Sequence, residues 1–161
     1  MIDSILEWLT GASGSAAALP QDPLRLALAA LLAEAACSDD HFGANERGVI
    51  AQLLEHRFNL SHEDARTLLA AGEREARDSA ELFHLTRIIN EKLSFEERVE
   101  LVEMLWEVAY ADGVLSEYED SLVRRVSGLI YVSDRDRGLA RRRVLARLGL
   151  DAEVLEKKRV P

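Results

Sequence analysis

Four carboxylates stand in two pairs with one spacing. Asp39 and Glu46 are seven residues apart in AEAACSDDHFGANERGVI (33–50), and Asp112 and Glu119 are seven apart in VAYADGVLSEYEDSLV (108–123). Each time an almost unbroken apolar run stops at the aspartate and a second apolar segment opens around the glutamate. Carboxylates beside the unsatisfied carbonyls of a helix end are hard oxygen ligands of the kind calcium or magnesium takes. Glu34 and Glu107, in the last turns of the same two helices, could join them. Helix capping explains part of the pattern. Glu119 follows Ser116 by three residues, as in a capping box, and Glu46 follows Gly43 by three. Gly113 suits a left-handed helix end, and Asp40 takes that place in the first copy. No capping rule asks for Asp39 or Asp112, because an acid at a helix C-terminus faces the negative end of the dipole. A bound cation would relieve that repulsion. Both accounts, turn and ligand, stay open at this level.

Neither loop counts as an EF-hand. A twelve-residue loop from Asp39 puts Gly43 at the fifth position and Ile50 at the last, and one from Asp112 ends on Val123. A zinc site using His41 would be one-sided, since the second copy has Val114 there.

Helices must position these acids, for every periodic stretch has helical period and none alternates as a strand does. Ile2, Ile5, Leu6 and Leu9 predict a short amphipathic helix over 2–10, and TGASGSAAALPQDP reads as a linker. Asp22 and Pro23 open a helix over 24–38 that is apolar on nearly all sides, which places it in the middle of a bundle. Further helices are expected over about 44–57, from Ser61, over 79–92, over 95–111 behind the Ser94–Glu97 capping box, over 117–130 behind Ser116, and from Ser133 to about 147. A short helix after Asp151 would complete the chain given. The fold class is therefore all-α, a single compact bundle of about seven helices over 21–161, preceded by a short helix and linker over 1–20.

The bundle is expected to be internally duplicated. Residues 25–54 align without gaps on 98–127, with seven identities: Arg25/Arg98, Leu28/Leu101, Leu32/Leu105, Glu34/Glu107, Ala36/Ala109, Asp39/Asp112 and Glu46/Glu119. Ordinary usage gives about two in thirty positions. One residue out of register, Leu60-Ser61 matches Val132-Ser133. Two copies at so long a period predict two packed halves with pseudo-two-fold symmetry.

The doubled pattern of apolar helix, Asp-Gly, short loop, Ser/Asn-x-Glu and apolar helix resembles the tellurite-resistance TerB family. The residues that carry it are AEAACSDDHFGANERGVI and WEVAYADGVLSEYEDSLV, and the resemblance covers about residues 24–150. The first copy departs from it, with Asp-Asp for Asp-Gly and Gly43-Ala-Asn-Glu in place of a serine start. The resemblance implies about seven helices with internal pseudo-symmetry. It also implies an acidic surface discussed as a metal site, in proteins linked to tellurite and other stresses. TerB-like domains further resemble a region that precedes the J-domain in some membrane-anchored co-chaperones. This sequence has no His-Pro-Asp, so that role would need partners in trans.

Composition narrows the classes. A net charge of −9 argues against nucleic-acid binding. No apolar run reaches the roughly 20 residues of a membrane span. The single cysteine, Cys37, rules out an internal disulfide and allows a reducing compartment, so the cytoplasm is the expected location. Residues 94–120 hold nine acids against Arg98, whereas 124–147 hold eight arginines against Asp134 and Asp136. The consecutive Arg141, Arg142 and Arg143 are candidates for an anionic protein partner, with a solvated face or pairing to the 94–120 acids as the plainer account. Glu96, Glu100, Glu103 and Glu107 form one helical stripe. No phosphate loop, dinucleotide fingerprint or nucleophile elbow occurs, and no enzyme activity is expected. Two functions remain: a cation-binding stress-response domain, with Asp39, Glu46, Asp112, Glu119, Glu34 and Glu107 as metal ligands, or a helical protein-interaction module with no metal.

Overall fold

A computed structural model describes residues 22–36, 44–78, 82–111 and 115–150. Among them stand seven helices and no strand: α1 (Pro23–Ala36), α2 (Ala44–Phe58), α3 (His62–Asp78), α4 (Leu82–Lys92), α5 (Phe95–Ala109), α6 (Glu117–Leu129) and α7 (Asp134–Leu148). The expected helix over 2–10 and the one after Asp151 lie outside the described residues.

Local chemistry fixes the starts. The Asp22 carboxylate accepts from the amides of Leu24 and Arg25, so Pro23 takes the first helical position, where no N–H is needed. Ser61, Ser94, Ser116 and Ser133 each accept from the backbone amide three residues on. At Ser94 the box closes, because Glu97 also accepts from the Ser94 N–H. Burial works to raise the Glu97 carboxyl, but the Ser94 N–H, Arg57 and the Ser94 hydroxyl outweigh it and hold it below the usual glutamate range. Three helices end alike. The amides of Leu60, Val132 and Leu150 reach back to the carbonyls of Glu55, Ser127 and Leu145, with Asn59, Tyr131 and Gly149 left-handed between. Helix α5 stops at Ala109 rather than the expected 111, because the Tyr110 amide turns to both Trp106 and Val108 and tightens the last turn.

Helix α1 is the axle of the bundle. It touches α2, α3, α4, α5 and α6, which is why its sequence, PLRLALAALLAEAA, is apolar all round. Its alanines let neighbours approach closely. The tightest approach is at Gly72 of α3, where an added Cβ would lie 2.6 Å from the Ala29 Cβ and 2.9 Å from the Ala30 amide nitrogen. Arg25, though charged, is 2% exposed. Its guanidinium lies 5.1 Å from the centre of the Phe58 ring and near Asp22. Burial lowers the Arg25 pKa, partly offset by Asp22.

The contacts pair off across the chain, as a duplicated bundle requires. Helix α1 touches α2 and α3 as α5 touches α6 and α7, and α2 meets α3 as α6 meets α7. Between halves, α1 meets α5, α1 meets α6, and α5 meets α2. Helix α4 stands outside that scheme, packed on α1 and α6.

Candidate functional site

The last turn of α1 meets the first turn of α6. Tyr118 donates its hydroxyl to Glu34 at 3.0 Å, which joins the acidic end of one repeat copy to the start of the other. Beside Tyr118, Glu119 is 8% exposed, in the N3 position after Ser116. Glu46 lies half-buried in the first turn of α2, the place that the repeat assigns it. Glu107, counterpart of Glu34, is held differently: Arg147 of α7 donates to it at 2.5 Å and to Glu103 at 2.9 Å. Arg143 adds a 3.2 Å bond to Glu103. Burial lowers the Arg147 pKa, but the two glutamates more than reverse this and raise it.

These carboxylates fit a hard cation unevenly. Glu34 keeps one oxygen beyond the Tyr118 bond, whereas a cation at Glu107 would compete with a guanidinium already there. Asp39 and Asp112, which the ligand set needs, lie outside the described residues, as do Cys37 and His41. Among the described residues, no three His, Cys, Asp or Glu side chains come together as a metal-holding group.

A family model described as "Tellurite resistance protein TerB" matches residues 25–142. The chain belongs to the TerB family. No curated protein and no solved structure matches it. The TerB span takes in both Asp…Glu loops and closes inside α7, so Arg143 and Arg147 lie just beyond it. Among the described residues of this TerB chain, no helix is long and apolar enough to cross a membrane.

The three consecutive arginines of α7 have three different settings. Arg141 donates to the Tyr110 hydroxyl at 2.6 Å and lies over the Trp106 and Tyr110 rings. Arg143 pairs with Glu103, and Arg142 is exposed. Trp106 is buried, as its helix suggested, and donates its indole N–H to the Arg137 carbonyl at 3.2 Å. The acidic stripe divides likewise: Glu96 and Glu100 are exposed, while Glu103 and Glu107 meet α7. Reading the sequence did not single out Arg147 or Tyr118. For Arg147 a signal exists, since Arg143/Arg147 and Glu103/Glu107 are both spaced by four, one helical turn that aligns opposite charges on facing helices. Tyr118 has no such signal.

Proposed function

We propose that the chain is a cation-binding domain of a cytoplasmic stress response of the tellurite-resistance type. It holds a divalent metal, calcium or magnesium before zinc, through Asp39 with Glu46 and Asp112 with Glu119. The observation that carries this reading is a TerB match spanning two loops with one Asp…Glu spacing. Support comes from the Tyr118–Glu34 bond, which gathers acids of both copies at the junction of α1 and α6. The metal would supply positive charge to carboxylates that face helix C-termini. Glu34 offers a further oxygen to the first loop. Glu107 contributes only where Arg147 releases it, so the two loops are expected to differ in affinity.

Calorimetry of metal-free protein with calcium, magnesium, manganese and zinc is the test. Saturable binding of one or two ions, lost in a variant carrying Asp39→Asn and Asp112→Asn, supports the reading. No heat from any of the four metals overturns it.

A second reading, a helical interaction module without metal, has its own support. The opposed charges of α5 and α7 neutralise each other at Glu103 and Glu107 and leave Arg142, Glu96 and Glu100 to solvent. Arg142, with the outer edges of Arg141 and Arg143, would then meet an anionic protein.

A further inference from the structure

Between α2 and α5 runs an open groove of about 470 Å³. Val49 and Leu53 of α2 and Met104 of α5 give it an apolar base. Glu100 and Glu103 give it an acidic wall, and Arg147 of α7 stands at its margin. The duplicated contact scheme says where its counterpart is. If α1 corresponds to α5 and α6 to α2, the matching seam is that between α1 and α6. That seam is covered: α4 lies on it, with Leu85, Thr86 and Ile89 buried. The Asn90 side chain there donates to the Leu129 carbonyl at 2.9 Å.

Helix α4 has a candidate second copy. At an offset of 72, the offset that matches Leu60-Ser61 with Val132-Ser133, AELFHLTRI (80–88) aligns with AEVLEKKRV (152–160). Ala80, Glu81 and Arg87 recur as Ala152, Glu153 and Arg159. Leu82, Phe83 and Ile88 recur as the apolar Val154, Leu155 and Val160. The differences are complementary. Leu85, buried in α4, becomes Lys157, while the α1 positions Ala27 and Ala30 become Glu100 and Glu103 in α5. An apolar pairing in one half is thus replaced on both sides by opposite charge in the other. Glu100 makes no ion pair with a described residue. The chain also leaves α7 at Leu148, one residue after groove-lining Arg147.

We propose that residues 151–161 are the second half's counterpart of α4 and occupy the α2–α5 groove of their own chain. Val154, Leu155 and Val160 meet its apolar base, and Lys157 and Lys158 meet Glu100 and Glu103. A protein that uses this groove must first displace the segment. The inference is independent of the cation reading.

The chain's only lysines are Lys92, Lys157 and Lys158, so a zero-length carbodiimide link is easily assigned. Full-length protein is mixed from natural-abundance and nitrogen-15 material, linked and digested. The expected product is an amide between Lys157 or Lys158 and Glu100 or Glu103, within one chain. Links found only between chains would assign the groove to a second copy and overturn the proposal, as would no link to either glutamate. A second measurement does not depend on linking. In Lys157→Glu/Lys158→Glu, amide exchange across 49–57 and 100–107 should quicken several-fold. Adding Glu100→Lys/Glu103→Lys should restore it. Unchanged exchange in the first variant overturns the proposal.

Discussion

Tyr131 holds φ 60 at the C-terminal end of α6, where Asn59 and Gly149 serve the corresponding ends of α2 and α7. A left-handed conformation costs a β-carbon residue roughly 1–2 kcal/mol, and a 74% exposed ring gains little packing in exchange. Tyr131→Gly is therefore expected to stabilise the protein by about 1 kcal/mol, read as a raised urea midpoint at unchanged slope. A lowered midpoint would mean that the ring packs more than its exposure implies. Glu97 sets a pH dependence. Its folded pKa lies below the unfolded one, so its stabilisation is full above the unfolded value and fades as pH falls through the folded value. Glu97→Gln should cost about 1 kcal/mol at pH 7, through the box and the Arg57 pair, and almost nothing near pH 2. Urea melts of both proteins at the two pH values check this. At the loops, Asp112→Asn removes a charge opposed to the α5 dipole and should add roughly 0.3–1 kcal/mol without metal. Glu119→Gln weakens a helix start and should subtract. If a cation binds, wild type gains stability as metal is added and both variants lose most of that gain. Thermal melts with and without millimolar metal separate the cases, and a wild-type melting temperature indifferent to all four metals removes the ligand account.

Elements were the most legible scale. Each serine expected to start a helix does so, because capping is decided by neighbours within four residues. The central place of α1 was also legible, since a helix with apolar residues on every side has nowhere else to go. Partners of individual side chains were not. Periodicity names the face that Tyr118 and Arg147 occupy but not which of six other helices that face will meet. Two glycines show the difference between an element and its setting. Gly48 sits inside α2 with nothing within 4 Å of an added Cβ, so Gly48→Ala should gain about 0.5–1 kcal/mol from helix propensity. Gly72→Ala has the same propensity gain but drives a methyl into the backbone of α1, and should lose about 1–3 kcal/mol net. Chemical denaturation of the two variants should therefore move in opposite directions. Equal shifts would mean that α3 can slide on α1.

At the scale of the whole molecule, charge is arranged across the bundle. The acids of α5 and the arginines of α7 meet at Glu103 and Glu107, so much of the unevenness visible along the chain is spent internally. Arg141 is tied to Tyr110 and Trp106, and only Arg142 is plainly outward. Arg141→Gln should lower the melting temperature, whereas Arg142→Gln should leave it within about 0.5 kcal/mol of wild type. Salt-sensitive loss of an anionic partner on Arg142→Gln alone would favour the interaction module. The candidate site was legible as a spacing of acids but not as a geometry, since facing contacts such as Glu107–Arg147 join residues far apart in sequence. The same distance shapes how the protein is born. Helix α1 is finished 93 residues before α6 is, yet α6 is among the helices that cover it. At roughly 5–20 residues per second a ribosome takes about 5–19 s to bridge that gap. Throughout that interval a fourteen-residue, all-round apolar helix has emerged without its full coat. Nascent chains arrested before residue 117 should therefore be held by chaperones that grip apolar segments, and chains extended past α6 released.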